Sequence, residues 1–277
     1  MNPHIDRLMA QTESAMRSVQ DGYRGPVHVG VDLGTAYTVL IVLDAEYRPL
    51  AGAYRFAYVV RDGLVVDFIG AIDLLRTLKH EVEARLGFEL THAATGYPPG
   101  VPHVEVRATA NVLRGAGFEC TAEVAEPSAA SAVLQIENGA VVDVGGGTTG
   151  IAVLREGKVI YTADEPTGGT HFTLVIAGAL NLPFEEAERL KIDPRQQPRL
   201  FPLVRPVMEK VGTIVTRHIR PHRVDTVYLV GGACEFAGMA SVIAEVAQVQ
   251  TIIPTRPLFV TPLGIAMQDR PLTVGSG

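Results

Sequence analysis

The sequence predicts an α/β fold built from two similar lobes that face each other across a cleft. One pattern, an apolar strand followed by Asp, a glycine turn, a threonine and a second apolar strand, occurs twice, as VGVDLGTAYTVLIVL (29–43) and VVDVGGGTTGIAVL (141–154). Each copy continues into a turn, a third strand and then helices. A repeated unit without a long linker favours duplication, with a mixed sheet covered by helices in each lobe.

Composition and charge narrow the class of protein. The 277 residues are 47% hydrophobic and 19% charged, which suits a substantial buried core. The net charge of −6 argues against nucleic acid as a partner. The two cysteines form no CxxC motif, so no disulfide framework or thiolate metal site is expected. No apolar run approaches the roughly 20 residues that span a bilayer, and the first 25 residues do not read as a secretory signal, so we expect a cytoplasmic protein without membrane contact.

The first half begins with a segment, residues 1–25, that comprises an amphipathic helix over 3–20 and a DGYRGP break. The helix is either a peripheral element packed on the body or a docking helix for another protein. Lobe I is predicted over 26–137. Its expected strands are Val27–Val31, Tyr37–Leu43, Leu50–Phe56, the LTHAATGYPPG stretch and Phe118–Ala125, and its expected helices are Gly70–Leu86, Val104–Gly115 and Ser128–Ile136, the last capped by Ser128.

Lobe II is predicted over 138–277, with its final helix, 262–270, packing back toward lobe I. DPRQQPRLFP is interpreted as a loop, and Pro183 followed by two glutamates opens a helix. The remaining expected elements are strands at Ala140–Val144, Gly150–Leu154, Val159–Asp164 and Thr226–Val230, and helices at Val204–Ile219 and through Leu263–Met267.

The two Asp-Gly-Thr turns indicate a phosphate site. Glycine lets the backbone approach a ligand closely, and successive N–H groups in a tight turn attract anions. An acid beside phosphates makes sense if Mg²⁺ lies between them, because Mg²⁺ prefers carboxylate, water and phosphate oxygens. Asp32 and Asp143 would supply carboxylates from opposite walls. Either turn alone would more often be an ordinary hairpin, but the matched pair favours phosphate binding.

Five motifs in chain order resemble the actin, Hsp70 and sugar-kinase superfamily of ATPases. Two are the turns above, and the others are EPSAASAV (126–133), VYLVGGACEFAGM (227–239) and VTPLGIAM (260–267). EEAERLK (185–191) and GGTHF (168–172) are also similar to superfamily segments. The resemblance implies an actin-like ATPase fold with two duplicated RNase H-like lobes around a nucleotide cleft and short peripheral subdomains, and it implies ATP or ADP with Mg²⁺ as cofactors.

The resemblance also implies roles for individual residues. Asp32 and Asp143 would hold Mg²⁺ through water, and Glu126 would orient the attacking water. The residues expected to bind phosphates are Gly34, Thr35, Gly145, Gly146, Gly147, Thr148, Thr149, Gly168 and Gly169. Those expected at the nucleoside are Glu188, Lys191, Gly231 and Gly232, although Glu188 and Lys191 also fit an i,i+3 ion pair on a solvated helix face.

Two departures from the superfamily pattern weaken the expectation of hydrolysis. Thr170 replaces an acid after the Gly-Gly pair, and no lysine stands in a motif that would bring it to the γ-phosphate. Arg61 and Lys79 are the basic residues of that neighbourhood. Nucleotide binding is therefore the firmer expectation, with ATP hydrolysis weak.

Within the superfamily, the chain is similar to the ethanolamine-utilisation protein EutJ family, through RDGLVVDFIGA, THAATGYPPG, DEPTGGTHF and LFVTPLGIA. This implies an Hsp70-like, chaperone-like ATP-binding protein of bacterial microcompartment metabolism, located in the cytoplasm or at the microcompartment. A protein partner or client, with microcompartment enzymes as candidates, would dock on the ATPase body or on residues 3–20. An actin-like filament or scaffold protein, and less so a small-molecule kinase, remain alternatives.

Two other groups point to simpler interpretations. Pro221 breaks the helix between His218 and His222, which argues against a metal site there. Cys234 follows the Gly231–Gly232 turn, where a small buried thiol is expected more than a reactive one.

Overall fold

The computed structural model describes residues 3–18, 22–61 and 64–270. Two five-stranded sheets dominate it, and each has the same plan: successive strands pair antiparallel on one side of a central strand and parallel on the other. The predicted α/β class with a duplicated unit is therefore confirmed. The parts of the predicted N-terminal and C-terminal segments at 1, 2, 19–21 and 271–277 lie outside the described residues.

The first sheet has the order β3-β2-β1-β6-β7. Its strands are β1 (His28–Leu33), β2 (Tyr37–Leu43), β3 (Pro49–Phe56), β6 (His92–Tyr97) and β7 (Glu119–Ala125). A separate two-stranded hairpin joins β4 (Val60–Arg61) to β5 (Leu64–Val65). The second sheet has the matching order β10-β9-β8-β11-β12. Its strands are β8 (Gly139–Val144), β9 (Thr149–Arg155), β10 (Lys158–Glu165), β11 (Thr226–Val230) and β12 (Gln250–Ile252).

Helices cover both sheets. They are α1 (Pro3–Ala15), α2 (Phe68–Leu86), α3 (His103–Gly115), α4 (Glu126–Leu134), α5 (Gly169–Leu180), α6 (Phe184–Ile192), α7 (Gln197–Ile219), α8 (Met239–Ala247) and α9 (Val260–Ala266). Within the described residues, none of these helices has the length and apolar character needed to cross a bilayer.

Four predicted helix starts were wrong, since α2 begins at Phe68 rather than Gly70, and α9 spans Val260–Ala266 rather than 262–270. α4 begins at Glu126 rather than Ser128, and no side chain caps it. α7 begins at Gln197, inside the predicted loop, because Pro198 stands in the first turn, where a helix loses no hydrogen bond to proline. Pro202 and Pro206 lie inside α7 and remove intrahelical bonds there. The buried apolar face of α7 offsets that loss.

The N-terminal helix α1 is packed on the body. Its apolar face is buried against β2 and β3, with Met9 fully inaccessible to solvent. Two polar contacts tie it to the segment before α9: Arg256 pairs with Glu13 at 2.7 Å, and the Thr255 hydroxyl donates to Asp6 at 3.1 Å. The peripheral alternative therefore fits the structure, and the apolar stripe of this helix is not available for docking a partner.

Helices α4 and α9 join the two sheets through contacts at backbone distance. A methyl group on Gly264 of α9 would overlap the carbonyl oxygen of Ala129 in α4. A methyl group on Gly30 of β1 would overlap the backbone of Ala266. These glycines allow α9, which follows the second sheet in the chain, to pack directly on the first.

Replacing Gly264 with alanine tests this contact. Overpacking of a rigid contact typically costs 1–3 kcal/mol, so we expect Gly264→Ala to lower the free energy of unfolding by about 2 kcal/mol or more. The matched control is Gly178→Ala in α5, where an added methyl meets no atom within 4 Å. That change should be neutral or stabilise by up to about 1 kcal/mol. Urea denaturation of both variants measures the difference, and equal effects would contradict the proposed role of Gly264.

Candidate functional site

A cavity of about 450 Å³ lies between the two sheets and is lined by residues of both. This volume falls within the range of small-molecule sites. Most of the predicted site residues line it: Asp32, Gly34, Thr35, Glu126, Asp143, Gly145, Gly146, Gly147, Thr148, Gly169, Glu188, Lys191, Gly231 and Gly232. Residues that are far apart in the sequence are therefore brought to one enclosed space.

The two glycine turns have the same internal geometry and touch each other. In the first turn the Gly34 amide donates to the Tyr37 carbonyl at 3.0 Å, and in the second the Gly145 amide donates to the Thr148 carbonyl at 3.0 Å. A Cβ on Gly146 would lie 2.7 Å from the Cβ of Ala36. Glycine at 146 is therefore required for the second turn to approach the first.

The first two residues of α5 hold the second turn through backbone hydrogen bonds. The Gly169 amide donates to the Gly145 carbonyl at 2.8 Å, and the Thr170 amide donates to the Gly146 carbonyl at 2.7 Å. Two predicted phosphate-binding residues, Thr149 and Gly168, are not in the cavity wall. The Thr149 hydroxyl is buried and donates to the Thr167 carbonyl at 2.5 Å, so it holds the short segment between β10 and α5 and does not face a ligand.

Three carboxyl groups share the cavity near the turns. Burial, and then the charge of Asp143, raise the pKa of Asp32 to about 7. Burial raises the pKa of Asp143, and the Thr261 hydroxyl, which donates to its carboxylate at 2.5 Å, opposes that rise. Burial, followed by the charges of Asp32, Asp143 and Asp164, raises the pKa of Glu126 well above its usual range. The site concentrates negative charge that a cation would relieve.

Glu188 and Lys191 form the i,i+3 ion pair that the alternative expected, but the pair is buried on α6, so its placement on a solvated helix face was wrong. Their side chains are 7% and 11% exposed, and the Lys191 Nζ lies 2.7 Å from the Glu188 Oε2. The Thr173 hydroxyl donates to the same oxygen at 2.5 Å. The Glu188 Oε1 is buried and has no hydrogen-bond partner among the described residues. A carboxylate oxygen in that state, on a residue that lines the cavity, is suited to accept a bond from a ligand.

The glycine pair after β11 forms another part of the wall. Gly231 has φ of +91°, and a methyl group there would overlap the Asp143 carboxylate, so glycine is required. The Cys234 thiol is buried and donates to the Val230 carbonyl at 3.0 Å, and burial raises its pKa well above the usual range. This is the small buried thiol that the sequence favours.

Several lining residues were missed by sequence reasoning. Thr261 stands in a quoted motif, but its bond to Asp143 depends on the packing of α9. Tyr37 lies directly after the first turn, and burial, then Glu188, raises its pKa to about 12. Glu235 and Arg256 also line the cavity and carry charge, but neither stands in a pattern that indicates a ligand.

Of the two basic residues considered for the γ-phosphate, Lys79 does not line the cavity. It is a buried residue of α2, where it donates to the Gly117 carbonyl at 3.1 Å and lies over the Phe118 ring. The side chain of Arg61 lies outside the described part of the chain. Over residues 3–18, 22–61 and 64–270, no three His, Cys, Asp or Glu side chains gather closely enough to bind a metal by themselves.

Comparisons with known proteins agree with this architecture. The family model described as type IV pilus assembly protein PilM matches residues 117–261. Ethanolamine utilization protein EutJ of Salmonella typhimurium is 43% identical over 246 residues, which cover 88% of this chain and 86% of that protein. The crystal structure of EutJ from Carboxydothermus hydrogenoformans superposes with a TM-score of 0.91 at 45% identity, covering 95% of this chain and 98% of that one.

A more distant structure shares the fold alone. MreB 5 of Spiroplasma citri, solved with AMPPNP bound, gives a TM-score of 0.69 at 16% identity and covers 88% of this chain and 96% of that one. The actin-like ATPase fold that the motifs imply is thereby confirmed.

The raised pKa of Asp32 makes stability depend on pH. An aspartate with a pKa of 3.8 when unfolded and about 7 when folded loses stability as pH rises between those values, because the folded state must give up a proton that it holds more tightly. We expect Asp32→Asn to stabilise the ligand-free protein at about pH 8 by about 2–4 kcal/mol relative to its effect at about pH 5.

Urea denaturation at the two pH values measures this effect. The control is Asp225→Asn, which removes an exposed aspartate and should change stability alike at both. An equal effect of Asp32→Asn at both pH values would show that the carboxyl is not strained by burial.

Proposed function

The chain belongs to the ethanolamine utilization protein EutJ family, and we propose that it binds ATP or ADP with Mg²⁺ in the cavity between its two sheets. In this proposal it hydrolyses ATP slowly and acts as a chaperone-like switch in ethanolamine metabolism. The family name supports the metabolic context, and the geometry of the cavity supports the nucleotide.

The observation that carries the proposal is the contact between the two glycine turns, with a carboxylate beside each. Asp32 and Asp143 end strands at equivalent positions of the two sheets, and the turns after them meet at Ala36 and Gly146. Backbone amides of such turns attract phosphate oxygens. The surplus of buried carboxylates fits a divalent cation, which Asp32 and Asp143 would hold through water. Bound Mg²⁺ would neutralise phosphate charge.

The nucleoside would lie toward α6 and the glycine pair after β11. Glu188 offers its unpartnered Oε1 to a ribose hydroxyl, and the Lys191 ammonium holds the carboxylate in position. Gly231 and Gly232 let the backbone approach the nucleoside without Cβ groups in the way. The proposed phosphate contacts come from Gly34, Thr35, Gly145, Gly146, Gly147, Thr148 and Gly169.

Glu126 is the proposed residue for hydrolysis. It stands at the first position of α4, lines the cavity and faces Asp32 and Asp143. As a carboxylate it would accept a hydrogen bond from water and orient it toward the terminal phosphate. Lys79 bonds to the Gly117 carbonyl and does not reach the cavity. It therefore adds no positive charge beside the terminal phosphate, and we expect turnover to be slow.

The chain is organised as two lobes whose closure on a nucleotide would be sensed by a partner protein. We infer lobes at 26–137 and 138–277, with α9 packed back on the first. Nucleotide occupancy would bias closure of the cleft about α4 and α9. A protein client or partner, with enzymes of a bacterial microcompartment as candidates, would respond to that closure in the cytoplasm.

Thermal unfolding with nucleotide tests the central claim. At a hundredfold excess over Kd, Mg-ATP or Mg-ADP should stabilise by about 2.7 kcal/mol and raise Tm by roughly 5–10 °C. Asp143→Asn keeps an acceptor for Thr261 but should remove the Mg²⁺-dependent part of the increase. The absence of any increase with either nucleotide, at every Mg²⁺ concentration, would refute nucleotide binding.

Glu126→Gln separates hydrolysis from binding. The amide keeps the shape of the side chain but cannot accept a proton, so phosphate release from ATP should fall at least about 100-fold. The rise in Tm with Mg-ATP should persist, because the amide also removes repulsion from the cavity. If phosphate release were unchanged, another residue would have to orient the water.

A further inference from the structure

A second groove lies outside the cavity, on the surface of the second half of the chain. It is an open depression of about 620 Å³ between α8 and the end of α7 with the turn that follows it, and its lining residues are Thr213, Thr216, Arg217, Arg220, Pro221 and Val246. Gly212 sets its depth, because a Cβ there would lie 2.8 Å from the Cβ of Val246, so α8 packs close to α7. It shares no lining residue with the cavity.

The groove carries positive charge on a protein whose net charge is −6. The segment from Arg217 to Arg223 contains three arginines and no acid. Arg220 is exposed and forms no ion pair with any residue that the structure describes. Basic residues near a helix C-terminus are stabilised by the helix dipole, which accounts for their position on α7. It does not account for a groove lined by two arginines, of which Arg217 is paired with Glu165 and Arg220 is not paired with any described acid.

Among the lining residues, the arginine N–H groups are the donors left for a ligand, and Arg220 is the one that has no described acidic partner. The Thr213 hydroxyl donates to the Glu209 carbonyl at 2.9 Å, and the Thr216 hydroxyl donates to the Gly212 carbonyl at 2.7 Å. Both hydroxyl protons are therefore engaged within α7. Arginine forks bind carboxylates in a bidentate manner, so the groove is selective for carboxylate or similar oxyanions.

The remaining wall is apolar, and the groove is larger than a single small anion. Val246 and Pro221 offer contact to an aliphatic side chain, and the volume is several times that of one carboxylate. Arg220, just after the end of α7, offers its guanidinium to one acidic side chain, and a second acidic side chain of the same segment would compete with Glu165 for Arg217. We propose that this groove binds an acidic peptide segment, with interspersed aliphatic residues, of a partner protein.

The probe for this proposal is a fluorescein-labelled synthetic peptide of alternating glutamate and leucine. Its fluorescence anisotropy is measured as the full chain is added. Binding should saturate and weaken as salt increases, because the charges are exposed to solvent. Arg220→Glu reverses the charge in the groove without breaking an ion pair, and it should weaken binding at least about tenfold, equivalent to about 1.4 kcal/mol.

The matched control is Arg199→Glu, at an exposed position near the other end of the same helix. It changes net charge equally and should alter Kd by less than about twofold. Thermal unfolding checks that both variants remain folded. A peptide with glutamine in place of glutamate should not bind.

Several results would overturn the proposal. They are failure of the glutamate–leucine peptide to bind, equal weakening by both variants, or Arg220-dependent binding of phosphatidylglycerol vesicles or pyrophosphate in place of the peptide. The assay needs no nucleotide, so its outcome is independent of whether the cavity binds ATP.

Discussion

Unbalanced negative charge in the cavity is the constraint around which the rest of the structure is arranged. Asp32, Asp143 and Glu126 face one another, and the described cationic groups nearby are engaged elsewhere, Lys191 with Glu188 and Arg256 with Glu13. Burying like charges lowers stability, and such sites persist where binding requires them. The raised pKa values of these carboxyl groups reflect that loss of stability. A ligand that brings a cation would lower the pKa values again.

Duplication explains how two carboxylates come to face each other. β1 and β8 occupy the same central place in their sheets, and the aspartate stands near the end of each. Helix α9 then holds the first sheet to the second, and its Thr261 donates to Asp143. The helix that joins the sheets thus also stabilises the ionised form of a cavity carboxylate, which links the packing of the two halves to the charge of the site.

The sequence carried most of the fold and the identity of the chemical groups, because strands, turns and paired aspartates leave local patterns. The strands Tyr37–Leu43 and Thr226–Val230 were predicted at their observed bounds. What failed depends on tertiary packing. The start of α7 was missed because its prolines indicate a loop, although burial offsets the hydrogen bonds that they remove. Helices α5 and α8 were not predicted. Thr149 was assigned to phosphates, but its hydroxyl bonds to the Thr167 carbonyl. The burial of Glu188 could not be read from spacing.

The segment 165–170, from the end of β10 to the start of α5, is bonded both to the glycine turn of the cavity and to Arg217 of the basic groove. On one side its Gly169 amide holds the second glycine turn. On the other, the Glu165 carboxylate pairs with Arg217 of the groove, and its Oε1 lies 2.9 Å from the His218 Nε2. The Glu165 carbonyl accepts a hydrogen bond from the Thr167 amide at 2.7 Å. A carboxylate bound in the groove would compete with Glu165 for the same guanidinium. Occupancy of the groove would then alter the support of the turn, and by linkage any such effect on affinity would act equally in both directions.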